Sequence, residues 1–393
     1  MPNRIPITGI GIHNCLATTP SAFAHALRIG KCGLHHDPAR LAAGYQSDLC
    51  GNVPPVSPSV MEGLRRSQRI CLSEPSLYAL SVARQAMAQA GMDDDYMHSH
   101  NVSLLVSNDS TAETMTHIGE VMQEHNDTRY LGAGTVFKSL NSTVSMNLAQ
   151  ILHVNGLALT LSAACAGGGH AIGMAKMLID SGQSDAVIII GAQETNIHSS
   201  NAFDALGVFA HDRVLPFGKF REGLAPSGGA ACIILQREPT AEPLAYLSGY
   251  GFSNGTSLST PDSKQELVCM RRALNDAEIT CGLIDVVLAH ATGTPLGDKA
   301  EAEAIRSSFT MFYPYVVATK GLTGHECWMA GVSQAVQAVL MINRKFIPAT
   351  IGAKDNAFPY LNLSTQTERT TVHSVLCNAF GFGGTNSSFV ITR

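Results

Sequence analysis

Apolar and polar residues along this chain follow two periods in turn. Continuous apolar runs of strand length are followed by stretches in which apolar residues recur every three or four positions. The first pattern is typical of strands buried on both faces, and the second of helices that cover a sheet. The repeated strand–helix order therefore predicts an α/β fold. The predicted strands are 5–12, 102–106, 157–161, 185–191, 244–252, 285–289, 315–318, 372–377 and 388–392, and the predicted helices are 21–29, 76–90, 143–152, 171–179, 263–277, 298–308 and 329–342.

Two of the strand–turn–helix units resemble each other. The strand 157–161 runs into a glycine-rich turn and then a helix, and the strand 315–318 does the same. In open α/β sheets, sites form at the carboxyl ends of strands, so two halves of one topology would place both turns at equivalent ends of their sheets. The sequence identity between the halves is too low to prove a duplication.

Composition narrows the class of protein. The chain has 393 residues, of which 45% are hydrophobic and 15% charged, as in a compact globular protein with much buried sheet. A net charge of −5 gives no overall basic field that would attract nucleic acid or a membrane surface. The N-terminal segment is typical of a first strand rather than a signal peptide, and no apolar run has membrane-spanning length. Ten scattered cysteines lack metal-like spacing, so we predict a cytoplasmic protein with free thiols and no metal.

Cys165 is the first candidate for chemistry, because it lies on the turn between an apolar strand and a helical pattern. The dipole and the unpaired N–H groups of a helix N-terminus favour thiolate over thiol. The glycines at 167–169 would let an acyl group come close. On local sequence alone, a small buried hydrophobic side chain is an equally good interpretation.

Three further turns also lie at predicted strand ends. His290 ends an apolar strand, and His325 follows the end of another. The glycine-dense loop 380–384, called the Phe-Gly loop below, can donate backbone N–H groups to an oxyanion or move as an aromatic gate. Taken alone, each histidine can equally be structural, and the loop can equally be a tight turn between the last two strands.

One cysteine and two histidines on separate strand-end turns suit chemistry on acyl thioesters. The thiolate can accept an acyl group, and two neutral imidazoles can hydrogen-bond a thioester carbonyl that becomes an enolate. Backbone N–H groups can hold the tetrahedral oxyanion. No separate strong base is needed if the carbanion forms by loss of carbon dioxide.

The chain resembles the β-ketoacyl-acyl carrier protein synthases of the elongating type, which belong to the thiolase superfamily. The resemblance extends from end to end, through motifs at 7–11, around Cys165, and at 290–301, 319–325, 347–351 and 380–386. It implies a thiolase-like five-layer αβαβα fold made of two similar halves. The N-terminal half, residues 1–240, would contain Cys165, and the C-terminal half, residues 241–393, would contain His290, His325 and the Phe-Gly loop.

The resemblance also implies roles for individual residues. Cys165 would accept the acyl group, while His290 and His325 would assist decarboxylation of a malonyl thioester and stabilise the enolate. Lys320, Asp298 and Glu301 would form a supporting polar network. The backbone N–H groups of Cys165 and Phe382 would form the oxyanion hole, and Phe382 would also act as the gate. Thr292 and Thr294 would bind the phosphopantetheine arm.

Substrates and partners follow from the same resemblance. It implies that no cofactor is bound and that substrates arrive on the phosphopantetheine of acyl carrier protein. It also implies a dimer, either a homodimer or a heterodimer with a related ketosynthase-like subunit. The predicted function is decarboxylative Claisen condensation of acyl-Cys165 with malonyl-acyl carrier protein, in fatty-acid or polyketide biosynthesis, including pathways of the polyene type.

Four departures from the family pattern lie near these residues. Gly228 stands where the family usually has a glutamate, and Gln334 stands where a glutamate is expected after the second histidine. The polar loop 254–261 is shortened. After His325, small residues are replaced by bulkier ones that include Trp328, the only tryptophan. Together these departures predict a specialised synthase rather than the housekeeping enzyme of fatty-acid elongation.

Three alternatives stay open at this point. One is a non-catalytic or weakly active partner subunit, like the chain-length factors, although those usually lack the cysteine. Another is a thiolase, which uses a second cysteine as base near the C-terminus; Cys377 fits a strand better than that role. The last is an acyltransferase that passes the acyl group from Cys165 to a non-malonyl nucleophile, which the altered surroundings of His325 allow.

Overall fold

The computed structural model describes residues 4–239 and 241–393. The strands before residue 240 are β1 (Ile5–His13), β2 (Leu34–His36), β3 (Leu49–Gly51), β4 (Val102–Ser107), β5 (Ala158–Leu161), β6 (Ala186–Gln193) and β7 (Gly229–Gln236). The helices of this part are α1 (Pro20–Arg28), α2 (Pro38–Ala42), α3 (Arg66–Arg69), α4 (Glu74–Ala90), α5 (Asp94–Ser99), α6 (Ala112–His125), α7 (Val136–Ser139), α8 (Thr143–Ile151), α9 (Gly167–Asp180) and α10 (Asn201–Ala205).

The remainder of the chain repeats the alternation of strands and helices. Its strands are β8 (Ala245–Asn254), β9 (Val286–Leu288), β10 (Tyr315–Val317), β11 (Phe346–Ile347), β12 (Glu368–Arg369), β13 (Ser374–Phe380) and β14 (Thr385–Thr392). Its helices are α11 (Ser263–Asp276), α12 (Pro295–Ser308), α13 (Lys320–Thr323) and α14 (Ala330–Arg344).

The main sheet shows that the two halves share one topology. Its ten strands run in the order β10-β9-β13-β14-β8-β1-β7-β6-β4-β5. If the five strands of each half are numbered as they occur along the chain, both halves have the order third, second, fourth, fifth, first from the outer edge of the sheet to its centre. The two halves are therefore mirror arrangements of one strand order. In both halves the outer three strands are parallel, and the other pairs are antiparallel. The predicted pair of similar halves is therefore confirmed, while the boundary between residues 240 and 241 stays a prediction.

Helices α9 and α14 form a central layer, because both pack against strands of both halves. α4 and α8 cover the outer face of the first half, and α11 and α12 cover that of the second. The alternation along β6 shows why its central positions are all apolar. Val187 and Ile189 face the central helices, whereas Ile188 and Ile190 face the outer layer. The result is the predicted five-layer αβαβα arrangement.

The central helices approach each other at glycines. A Cβ atom on Gly331 would lie 2.5 Å from the backbone nitrogen of Gly169, and one on Gly168 would lie 2.9 Å from that of Val332. The glycines after Cys165 are therefore the first turn of α9, which begins earlier than the predicted 171–179. Because both helices follow the third strand of their half, this contact brings the two strand-end turns together.

Most predicted elements are present, and the differences have local causes. β7 was missed, although it is a buried apolar run between β1 and β6. α12 begins at Pro295 rather than at residue 298, because proline is favoured in the first turn of a helix. Within the described residues, no helix has both the length and the apolar character needed to cross a membrane.

Replacement of Gly331 tests the helix contact. Gly331→Ala should lower the free energy of unfolding by about 1–3 kcal/mol, measured by urea denaturation, because the methyl group overpacks the interior. Gly119→Ala in α6 is the matched control, since an added Cβ there meets nothing within 4 Å. It should leave stability unchanged or raise it, because alanine is the better helix former. Equal stability of Gly331→Ala and wild type would contradict the close approach.

Candidate active site

Cys165 lies on a strained turn between β5 and α9. The preceding residue, Ala164, has a φ of +46°, which is unusual for a residue other than glycine. The carboxylate of Asp109 accepts a hydrogen bond of 2.8 Å from the Ala164 N–H and so holds the turn. Strain of this kind is kept where the surrounding structure fixes it, often at functional sites.

The two predicted histidines meet Cys165 in one cluster. His325 Nε2 lies 3.1 Å from Cys165 Sγ. The rings of His290 and His325 are 5.4 Å apart and nearly perpendicular, at 83°. The sulfur and one nitrogen of each ring all lie within 4.8 Å of one another. These atom types and distances could also hold a metal ion, so the prediction that none is bound stays a prediction.

The thiol is protonated in the resting site. Burial raises the pKa of Cys165 to about 11, although Lys320 and the backbone N–H groups of Cys165 and Phe382 act in the opposite direction. The sequence-based expectation of a thiolate is therefore wrong for the free protein, because loss of water outweighs the effect of the helix N-terminus. The sulfur has to lose its proton as it reacts, and His325 Nε2 is within reach of it.

Both imidazoles are neutral at physiological pH. Burial, with a smaller contribution from Lys320, lowers the pKa of His325 to about 3. Burial, Lys320 and His325 together lower the pKa of His290 well below its ordinary value. A neutral imidazole has one N–H group, so each ring can donate one hydrogen bond to a substrate oxygen.

Glu301 and Lys320 fix the main chain of the His290 turn. The Glu301 carboxylate accepts hydrogen bonds from the N–H groups of His290 (2.9 Å) and Ala291 (2.7 Å) and from Asn378 Nδ2 (3.0 Å). Lys320 Nζ donates to the carbonyl of His290. The predicted supporting network therefore contacts the backbone of this turn, and Asn378 belongs to it as well.

Asp298 holds the next part of the same turn. Its carboxylate accepts hydrogen bonds from the N–H groups of Phe217 (2.7 Å) and Gly293 (3.0 Å), and Arg221 Nε lies 3.8 Å away. The side chain is fully buried, and burial raises its pKa to about 7. Asp298 therefore ties the turn to the segment around Phe217, and it is not part of the cavity wall that contains Cys165.

The backbone N–H groups of Cys165 and Phe382 both act on the Cys165 sulfur and lower its pKa, against the effect of burial. Their role as an oxyanion hole stays a prediction. The Phe-Gly loop comes this close because Gly381 has no side chain: a Cβ atom there would lie 3.2 Å from the backbone nitrogen of Cys165. When Cys165 is acylated, the carbonyl oxygen of its thioester would face the same two N–H donors.

A cavity of about 490 Å³ opens onto the cluster. Its wall includes Cys165, His290 and His325, together with Thr292 and Thr294 from the turn before α12. The two threonine hydroxyls lie 3.0 Å apart. The cavity therefore brings both predicted arm-binding residues to the catalytic cluster, and binding of phosphopantetheine there stays a prediction.

The Phe-Gly loop is linked to the shortened loop 254–261. The N–H group of Gly383 donates to the carbonyl of Leu258 at 2.7 Å, and that of Gly255 donates to Gly384 at 2.8 Å. The ring of Phe382 is 40% exposed and stacks on Phe203, at a centroid distance of 6.0 Å. Movement of the predicted gate would therefore involve both loops.

The remaining departures have structural explanations. Trp328 extends the aromatic row, because it lies 6.4 Å from Phe203. Gln334 Nε2 donates to the carbonyls of Ala289 (3.0 Å) and Leu288 (3.3 Å), bonds that a glutamate carboxylate could not make. At Gly228 a Cβ atom would lie 2.7 Å from the carbonyl oxygen of Gln193, so this turn has no room for a side chain.

Cys377 is not placed as a second catalytic cysteine. It is fully buried within β13 and faces α14, where its sulfur lies 3.9 Å from the carbonyl oxygen of Gln334. It does not line the cavity at Cys165. The thiolase alternative, which needs this base, is therefore not supported by the site.

Sequence reasoning missed several residues of the site. Asp109 is the second residue after the end of β4, so the rule that sites form at strand ends could have found it. Asn378 lies two residues before the Phe-Gly loop, in the last part of β13, and follows the predicted strand 372–377. Phe203 and Glu266, which also line the cavity, come from helices remote in sequence and carry no local signal.

Comparisons with known proteins agree with this site. The family described as "Beta-ketoacyl synthase, N-terminal domain" matches residues 2–241, and "Beta-ketoacyl synthase, C-terminal domain" matches residues 244–354. The 3-oxoacyl-[acyl-carrier-protein] synthase 1 of Escherichia coli (strain K12) is 29% identical over 407 residues, which cover 99% of each chain.

Solved structures show the same similarity. The ishigamide ketosynthase/chain length factor has a TM-score of 0.93 and 25% identity, with 100% of both chains covered. A ketosynthase in complex with its chain length factor, from Xenorhabdus doucetiae, has a TM-score of 0.84 and 25% identity, with 99% of this chain and 98% of that chain covered. The predicted thiolase-like fold and the predicted class of condensing acyltransferase are thus confirmed, and the chain belongs to the beta-ketoacyl synthase family.

Proposed function

We propose that this protein condenses an acyl group held on Cys165 with a malonyl group that is carried on acyl carrier protein. The observation that supports this proposal most directly is the cluster in which one thiol and two neutral imidazoles lie within 4.8 Å of one another. Similarity to a 3-oxoacyl-[acyl-carrier-protein] synthase supports acyl carrier protein as the source of both thioesters. The product is a 3-oxoacyl thioester.

In the first half-reaction the Cys165 sulfur attacks the carbonyl carbon of the acyl thioester. Its proton moves toward His325 Nε2, which lies 3.1 Å away, and ends on the thiol of the departing carrier arm. The C–S bond to the carrier breaks as the bond to Cys165 forms. The backbone N–H groups of Cys165 and Phe382 stabilise the oxyanion between these two events.

In the second half-reaction the malonyl group loses carbon dioxide. The electron pair of the broken C–C bond moves into the thioester carbonyl and gives an enolate, whose oxygen accepts hydrogen bonds from His290 and His325. Their low pKa values keep both rings neutral, so each offers one N–H donor. His325 donates as the tautomer with its proton on Nε2, because the acylated sulfur no longer has a proton for Nε2 to accept. The enolate carbon then attacks acyl-Cys165, and the cysteine sulfur leaves.

The substrate arm is proposed to lie in the cavity, with Thr292 and Thr294 along it. Both threonines lie in the turn before α12 and line the same cavity as His290. The reaction as written uses no bound cofactor. Phe203 and Phe382 line the cavity together with Cys165, and the ring of Trp328 lies behind Phe203. These aromatic rings support a specialised acyl substrate.

We also propose a dimer that forms along β5. This strand ends the sheet and pairs only with β4 among the described strands. Leu157 and Leu159 are 42% and 40% exposed there. An apolar edge strand with free backbone groups is suited to pairing with another chain. The partner is a second copy or, as the relatives named with a chain length factor suggest, a related subunit.

A non-catalytic role as partner subunit is not favoured by the site. The short distance between Cys165 and His325 and the contact between the two histidine rings support a catalytic role instead. Such a subunit has no need for this arrangement. Transfer to a non-malonyl nucleophile would leave the first half-reaction unchanged, so the second half-reaction tests it directly.

Replacement of Cys165 tests the first half-reaction. After incubation with an acyl-acyl carrier protein, the intact mass of the wild type should increase by one acyl group, and that of Cys165→Ala should not. Cys377→Ala is the matched control and should still be acylated, because Cys377 faces α14 rather than the cavity. An adduct of equal yield on Cys165→Ala would contradict the proposal.

His290 separates the two half-reactions. His290→Ala should be acylated at nearly the wild-type rate, because His325 is the ring next to the sulfur. Release of carbon dioxide from malonyl-acyl carrier protein should fall by about 10²–10³-fold, the typical cost of one lost oxyanion donor. His211→Ala, at an exposed histidine, is the control. Unchanged decarboxylation in His290→Ala would refute its assigned role.

Assembly can be measured by light scattering after gel filtration. We expect a particle of twice the chain mass of 41.6 kDa. Leu159→Lys should give the single-chain mass, because a charge on the edge strand opposes pairing. Leu283→Lys, at a leucine that is 64% exposed elsewhere, should not. If the wild type has the single-chain mass and this mass increases only after a ketosynthase-like subunit is added, the dimer is a heterodimer.

A further inference from the structure

Glu266 is a buried carboxyl group that the condensation does not use. It lies in the first turn of α11 and lines the cavity that contains Cys165, His290 and His325. The residue is 3% exposed, and its Oε2 atom has no hydrogen-bond partner among the described residues. Burial of a polar atom without a partner is costly, so such a group calls for an explanation.

Its surroundings favour the uncharged acid. The groups that interact with it are Asp262 and Cys269 on its own segment and Glu301 and Glu303 on α12. None of them is a cation. Burial first, and then the three negative carboxylates, raise the pKa of Glu266 to about 9. At neutral pH the side chain therefore keeps an O–H group.

The comparison with Glu301 shows what is unusual. Glu301 is also buried, but three N–H groups donate to its oxygens. Glu266 receives no such side-chain or backbone donor at Oε2, although it lies beside the same cavity. An uncharged acid with an unused O–H donor fits an acceptor oxygen on a ligand.

We propose that the Glu266 carboxyl group donates a hydrogen bond to a carbonyl or carboxylate oxygen of the thioester that enters this cavity, and thereby contributes to substrate selection. This inference rests on the proposed function. The acceptor has two sources, an amide carbonyl of the phosphopantetheine arm or the free carboxylate of the malonyl group. Both offer the same kind of oxygen to the same donor.

Two substitutions separate hydrogen bonding from packing. Glu266→Leu removes the hydrogen-bond donor and fills the place of the glutamate side chain with an apolar one. Glu266→Gln replaces the carboxyl donor with an amide N–H donor. We expect Glu266→Leu to raise KM for the thioester by about five- to tenfold, the value of one lost hydrogen bond, with kcat nearly unchanged. Glu266→Gln should stay close to wild type. Glu120→Gln, at an exposed carboxylate on α6, is the matched control, because Glu120 is not among the groups that act on Glu266.

The two half-reactions identify the acceptor. Acylation of Cys165 from acyl-acyl carrier protein involves the arm but no free carboxylate. A higher KM in this step and in malonyl decarboxylation would assign the hydrogen bond to the arm. A higher KM only in decarboxylation would assign it to the malonyl carboxylate. Unchanged KM in both steps would overturn this inference, yet the acyl adduct on Cys165 would still support the proposed function.

The pH dependence gives an independent readout. Below its pKa the Glu266 acid is protonated and donates, so the wild-type KM should be constant at neutral pH. As the pH rises through about 9, ionisation removes the donor and adds a charge near Glu301, so KM should increase. Glu266→Gln cannot ionise and should lack this increase. The same increase in Glu266→Gln would contradict the inference.

Discussion

The contact between α9 and α14 is the constraint on which the site depends. The two central helices meet at Gly168 and Gly331 with no side chain between them. Cys165 precedes α9 and His325 precedes α14, so the closeness of the helices sets the 3.1 Å distance between sulfur and imidazole. Since the helices occupy equivalent places in the two halves, the repeated topology is what builds one catalytic cluster from both.

Loss of water, rather than ion pairing, sets the protonation states around this cluster. It keeps the Cys165 thiol protonated and both histidines neutral, and it raises the pKa values of Asp298 and Glu266. In such surroundings a hydrogen bond to a developing negative charge is strong, because little solvent competes with it. The carboxylate of Glu301 is stabilised by backbone N–H groups and in turn holds the His290 turn in place.

Much of the fold could be predicted because its strands are buried on both faces and its helices cover sheets. The positions 186–190 of β6 are all apolar for that reason, and α4 shows helical periodicity. Local rules failed where tertiary contacts decide. The glycines after Cys165 looked like a turn, but they begin α9 because α14 packs directly on their backbone. β7 could have been predicted by the same rule, because its apolar run lies between Pro226-Ser227-Gly228 and Pro239.

The sequence by itself determined the chemical groups and the family, since Cys165, His290, His325 and the Phe-Gly loop each lie in a recognisable motif at a strand end. Only the tertiary structure decided their protonation states, because burial depends on segments far apart in the chain. It also decided which other residues join the cavity. Glu266 and Phe203 come from helices with no motif of their own, and folding alone brings them to the thiol.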